Sequence, residues 1–148
     1  VEALKIVMDA QPDILNHNVE TVPELFKSVQ PQSNFNHSRT TLVNAKKLDP
    51  TCLTKSGLMV GLGETMEQVK NTIREIRSWN VDILTIGQYL QPSKKHLPIE
   101  RYYTPEEFDA LGDYAHQLGF RWVESAPLVR SSYHAAEQVR ALAEGDQG

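Results

Sequence analysis

Short apolar runs and helical stripes take turns along this chain, the pattern of strands followed by helices. Residues 2–9 read as the end of a helix, broken at Gln11-Pro12. Asp13-Ile14-Leu15-Asn16 reads as a short strand whose polar end runs on as N-H-N-V-E-T over 16–21. Val22 to Gln32 is turn-like, with Pro23 and Pro31. Ser33 or Asn34 caps a helix running to about Leu48, where Asp49-Pro50 stops it. A strand is predicted at 53–60. Thr65 with Gln68 makes a capping box, and Met66, Val69, Ile73, Ile76 and Trp79 share one face of the helix that follows. Val81 to Ile86 reads as a strand ending in G-Q-Y-L-Q-P. Thr104-Pro105-Glu106-Glu107 sets cap, first-turn proline and N3 glutamate for another helix, striped by Phe108, Leu111, Ala115 and Leu118 and ended by Gly119. Phe120 to Val123 reads as a last strand, and Ser131 or Ser132 as the cap of a final short helix before a frayed tail.

Strand then helix, repeated, predicts an α/β fold with parallel strands and right-handed crossovers. About four strands are visible, which suits either a small open sheet or the second half of a β/α barrel. The stretch T-K-S-G-L-M-V-G-L-G-E-T at 54–65 is the most telling. Its apolar run, Leu58-Met59-Val60, is framed by Gly57, Gly61 and Gly63, and Glu64-Thr65 open a helix. In parallel α/β folds ligands sit at such strand ends. The glycines either admit a ligand or serve a tight turn.

Composition narrows the class. The 148 residues suffice for one domain with a real core, and 40% hydrophobic with 23% charged residues suit a soluble globular protein. A net charge of −4, with no basic cluster against it, argues against a nucleic-acid partner. No apolar run approaches the roughly 20 residues of a membrane span. Cys52 is the single cysteine, so no internal disulfide and no all-cysteine metal site can form. Val1 in place of Met suits a processed chain or a fragment.

Polar residues gather after the predicted strands. Asn16, His17, Asn18 and Glu20 follow the first. Lys55 and Ser56 lie on the second, with Gly61, Gly63 and Glu64 at its end. Gln88, Tyr89 and Gln91 follow the third, and Arg130, Ser131, Ser132, Tyr133 and His134 the last. Each cluster alone has a plain reading: loop caps, backbone bonds, a packed His17, and a solvated loop for Lys94, Lys95 and His96. Converging on one face, they predict a polar small-molecule pocket. Spacing supplies no reaction.

The chain resembles the C-terminal half of lipoyl synthase, a radical S-adenosylmethionine family. N-H-N-V-E-T (16–21), T-K-S-G-L-M-V-G-L-G-E-T (54–65), V-D-I-L-T-I-G-Q-Y-L-Q-P-S-K-K-H-L-P (81–98), Y-T-P-E-E-F (103–108) and P-L-V-R-S-S-Y-H-A (127–135) carry the likeness. Gly57-x-Met59-x-Gly61-x-x-Glu64 is similar to a glycine strand of the wider superfamily. The resemblance implies a partial β/α barrel spanning 1–148, with a C-terminal extension at 120–148. It implies two [4Fe–4S] clusters. One cleaves S-adenosylmethionine to a radical that takes hydrogens from C6 and C8 of an octanoyl chain. The auxiliary one is the sulfur donor and is held in part by a serine of R-S-S-Y. Carried over, that ligand is Ser131, with Ser132 the second choice. Asn18, Glu20, Lys55, Ser56 and Gln88 lie where the family meets S-adenosylmethionine. The implied partners are octanoylated lipoyl-carrier domains or a glycine-cleavage H-type protein, and an electron donor such as ferredoxin or flavodoxin. The implied location is cytoplasmic, or organellar in a eukaryote.

This sequence departs from the family in three ways. The family's six cluster cysteines are absent, and Cys52 matches none of them. Ala126 stands where glycine is usual before proline, and Arg39 where leucine is common after Ser38. A fragment of the enzyme, inactive alone, is the first expectation. A non-catalytic α/β ligand-binding module that keeps the scaffold is the second.

Overall fold

The structure is a computed structural model and describes residues 2–9, 14–25 and 35–128. In chain order come α1 (Glu2–Asp9), β1 (Ile14–Asn16), a 3-10 turn (Pro23–Leu25), α2 (Phe35–Leu48), β2 (Leu53–Val60), α3 (Met66–Ser78), β3 (Ile83–Gln88), α4 (Pro105–Leu118) and β4 (Trp122–Ser125). The expected caps at Ser33 or Asn34, and the helix after Ser131 or Ser132, lie outside the described residues.

The four strands form one parallel sheet in the order β1-β2-β3-β4. Alternate side chains on a strand face opposite ways, so register assigns the faces. Leu58 and Val60 of β2 and Leu84 and Ile86 of β3 pack in one core with Leu42 of α2, Val69, Ile73 and Ile76 of α3, and Phe108, Leu111 and Ala115 of α4. The helices between strands thus cover one face. Sequential strand order with helices on one face belongs to a β/α barrel, whereas doubly wound sheets carry helices on both. Among the described residues the sheet is not closed, and β1 and β4 are its edges. The alternative left open by the sequence resolves to a partial barrel.

The helix ends follow local rules. Thr65 and Thr104 each form a complete capping box, with Gln68 and Glu107. Gly119 ends α4 at φ 101°, a conformation costly for a side chain. Strand limits follow long-range rules instead. β3 and β4 each lie two residues later than the apolar pattern predicts. Gly87 and Gln88 extend β3 because they pair with Met59 and Val60, the last residues of β2. Asp82 sits below β3 as a fastener. Its Oδ2 accepts from Thr54 N (2.9 Å) and from Lys46 Nζ (2.6 Å), and the same ammonium donates to Cys52 O (2.8 Å). Phe120 is drawn into the core under the Arg77 guanidinium, which leaves the pairing to Trp122–Ser125.

Asp82→Ala strands a half-buried ammonium and a strand-end N–H, so the loss should be roughly 2–4 kcal/mol. Urea denaturation should show a lower midpoint at an unchanged slope; an unmoved midpoint would make the fastener dispensable. Glu107 bonds Arg101 through two oxygens, at 2.9 and 2.8 Å, and this holds its carboxyl at about 2 against an ordinary 4.5. A depressed carboxyl stabilises the fold above its unfolded pKa, and that contribution fades as pH falls towards 2. The pair is open to solvent, so its worth stays under about 1 kcal/mol. Glu107→Gln should therefore flatten the melting-temperature profile between pH 4.5 and 2; parallel profiles would refute it.

Candidate functional site

Beyond Asn16 the chain stays against β2. His17 N donates to Lys55 O (3.0 Å), while Val19 N and Glu20 N both reach Gly57 O (3.0 and 3.2 Å). Met59 N then donates to Glu20 O (2.9 Å). Two donors on one carbonyl mark an inserted residue, and Glu20 takes φ 79°, a conformation side chains resist. The kink brings Asn18 over Gly57. A Cβ on Gly57 would lie 2.7 Å from Asn18 Oδ1 and 2.8 Å from Thr85 Oγ1. Only glycine lets both polar groups close on the strand there.

A half-open cavity of about 240 Å³ results at the carboxyl ends of β2 and β3. Asn18, Glu20, Gly57, Leu58, Met59, Thr85, Gly87, Gln88, Leu90, Pro127 and Leu128 line it. Its chemistry is mixed: two amides, a hydroxyl and a carboxylate beside a thioether and three leucines. Glu20 is half-buried, and desolvation raises its carboxyl pKa. A carboxylate in that setting is served by a cation or a strong donor.

The structure thus brings Asn18, Glu20 and Gln88 together, as the strand-end reading expects, but not Lys55 or Ser56. Lys55 lies one row deeper, in register with Asn16 and Ile83, and is 3% exposed. Burial pushes its pKa down, while the Glu124 carboxylate pulls it up. Ser56 shares the helix side of β2 with Leu58 and Val60; its hydroxyl is wholly buried and unbonded. Gln88 lines the cavity, but its amide is engaged with backbone. Nε2 donates to Tyr89 O and Arg101 O (3.1 and 3.0 Å), and Oε1 accepts from Tyr103 N (2.9 Å). His17 stands against the His37 ring at 5.7 Å, and burial, then that neighbour, lower its pKa. That is the packing role. Ser131 and Ser132 lie outside the described residues.

Sequence reasoning missed the bracket beside the cavity. The Glu64 carboxylate accepts from Gly61 N (3.0 and 3.1 Å), Leu62 N (3.1 Å) and Tyr103 Oη (2.7 Å). Burial, then this bond, pushes the Tyr103 phenol well above its ordinary pKa. Gly61 holds φ 107°, and a Cβ there would strike Gln88 Nε2 and lie 2.7 Å from Arg101 O. Of the two readings the sequence left open for the glycines, Gly61 takes the tight turn, and Glu64 brackets it. Thr85 and Glu124 were also missed. The alternation of V-D-I-L-T-I puts Thr85 on the inner face, and that signal was available.

No protein-family model matches the chain. It is 54% identical over 147 residues to a lipoyl synthase of Rubrobacter xylanophilus, across 99% of this chain and 46% of that protein. A lipoyl synthase of Xanthomonas campestris is 54% identical over 137 residues, 93% of this chain and 41% of its own length. One of Bacillus cytotoxicus is 55% identical over 143 residues, 97% and 48%. The chain spans a little under half the length of these curated relatives. The resemblance read from the motifs is borne out along nearly the whole chain.

The two glycines separate by experiment. Gly57→Ala should leave the fold in place and push Asn18 aside, weakening ligand binding roughly tenfold or more while the melting temperature moves little. Gly61→Ala combines a strained φ with a clash against backbone, at roughly 2–4 kcal/mol of stability. Equal losses of stability in both variants would contradict the division.

Proposed function

We propose that this chain, similar to lipoyl synthases over nearly its whole length, is the part of such an enzyme that presents the cofactor and substrate pocket. The reaction is insertion of two sulfur atoms at C6 and C8 of an octanoyl chain carried on a protein lysine. The 54% identity over 147 residues carries the reading. The chemistry of the cavity supports it. S-adenosylmethionine has an ammonium and a carboxylate at its methionine end and a ribose on the far side of its sulfonium. Glu20 offers a carboxylate to the ammonium, Asn18 offers amide bonds, and Gly57 lets them approach the strand. When bound, the cofactor supplies the hydrogen-abstracting chemistry. This chain's part is to bind, orient and shield. Met59, Leu90 and Leu128 give the acyl chain an apolar wall.

The described residues do not fit an iron–sulfur cluster. They hold no group of three His, Cys, Asp or Glu side chains able to take a metal ion. Cys52 is buried with Met8 and Ala45, away from the cavity. Both clusters therefore call on other parts of the protein, with Ser131 as this chain's one contribution. We assign the octanoyl carrier domain or an H-type carrier as the substrate-bearing partner, and ferredoxin or flavodoxin as the electron source. No helix among the described residues is long and apolar enough to cross a membrane.

The test uses the full-length protein, reconstituted without oxygen, with an octanoyl-lysine peptide. Both 5′-deoxyadenosine and lipoyl peptide should form. Ser131→Ala should keep the first product and lose nearly all of the second, and the isolated chain should make neither. A full-length protein that binds S-adenosylmethionine but makes no lipoyl product would favour a ligand-binding module.

A further inference from the structure

The loop after β3 is built as a fixed display rather than as slack. Tyr89 N donates to Val60 O (2.7 Å), Glu100 N donates to Gly61 O (2.8 Å), and Gln88 holds both Arg101 and Tyr103. Between those anchors Tyr89 Oη donates to Leu97 O (2.7 Å) and Gln91 Nε2 donates to His96 O (2.8 Å). Ser93 Oγ shares a hydrogen bond with His96 Nδ1 (2.8 Å) and accepts from Lys95 N (3.2 Å). The turn therefore fixes the backbone that carries Lys94 and Lys95, and both side chains are exposed. From Tyr89 to Ile99 the chain has these two lysines and neither aspartate nor glutamate, within a chain of net charge −4. No salt bridge among the described residues involves either one.

Exposed apolar side chains collect at the same end of the sheet. Leu90, Leu97 and Tyr102 lie on this loop, and Leu128 lies just after β4; they are 37–73% exposed. Leu90 and Leu128 also line the cavity mouth. Apolar groups beside a small set of like charges mark a protein-docking surface. The cavity, at about 240 Å³, is far too small for a folded domain. Whatever domain carries the acyl-lysine must stand on the rim.

We propose that the Ser93–His96 turn docks the protein carrying the acyl-lysine, and that Lys94 and Lys95 recognise a carboxylate-rich surface around that lysine. The proposal rests on the function proposed above. Complementary charge at a rim steers encounter and fixes orientation more than it adds affinity. The docking therefore shows as a salt-sensitive preference for the whole carrier over a short peptide.

The experiment compares the full-length enzyme with its Lys94→Glu/Lys95→Glu variant. Each is given an octanoylated carrier domain with acidic residues around its lysine, and a neutral octanoyl-lysine tripeptide. The variant should need about ten times more carrier for half-maximal rate, and most of the salt dependence should vanish. Turnover of the tripeptide should stay unchanged. An unchanged half-maximal carrier concentration would overturn the docking assignment. An equal loss with carrier and tripeptide would overturn it too, because the lysines would then serve the pocket. A wild-type enzyme that lipoylates neither substrate refutes the functional reading itself, and the docking with it.

Discussion

Glu64 places a carboxylate where water scarcely reaches, at 6% exposure, and such a group persists only when donors surround it. Two backbone N–H groups of the turn after β2 supply one side of its shell, and the Tyr103 hydroxyl supplies the other. These partners come from segments 39 residues apart. The bonds therefore tie the end of β2 to the start of α4. Everything at the pocket mouth inherits that tie. Gln88 can bracket Arg101 and Tyr103 only while Tyr103 stays on Glu64, and Leu90 reaches the mouth only from a loop held at both ends. Arg101 adds a lid on the same ring, 3.7 Å from its centroid.

The inner face of the sheet divides its labour by depth. In the lower row Lys55 and Ile83 are buried beside an exposed Asn16, and burial disfavours the lysine's charge. The next row, with Gly57, Thr85 and Glu124, gives up side-chain volume at the glycine and keeps polar groups on either side. The cavity opens above it. A barrel built from such rows is solid below and receptive at the carboxyl ends.

What could be read from the sequence follows from range. β2 falls on its predicted limits because the apolar run Leu58-Met59-Val60, with turn residues on either side of the strand, leaves few alternatives. Both capping boxes need only neighbours three positions apart, so they were legible. The limits of β3 and β4 were not, because Gly87 and Gln88 become strand only by pairing with β2. Strand-end position led to Asn18 and Glu20, and both line the cavity. It did not tell Lys55 from Ser56, which face opposite sides. Nor did it show that the Gln88 amide and the Glu64 carboxylate are taken up by partners far along the chain.

On the function proposed above, the kinked 18–20 segment and Gly57 receive the charged end of S-adenosylmethionine. Calorimetric titration of the full-length protein with that cofactor, wild type against Glu20→Gln, tests it directly. Removing one charge-assisted partner should weaken binding about tenfold or more, with an unchanged melting temperature. The same affinity in both proteins would contradict the account and leave Glu20 as a strained turn residue.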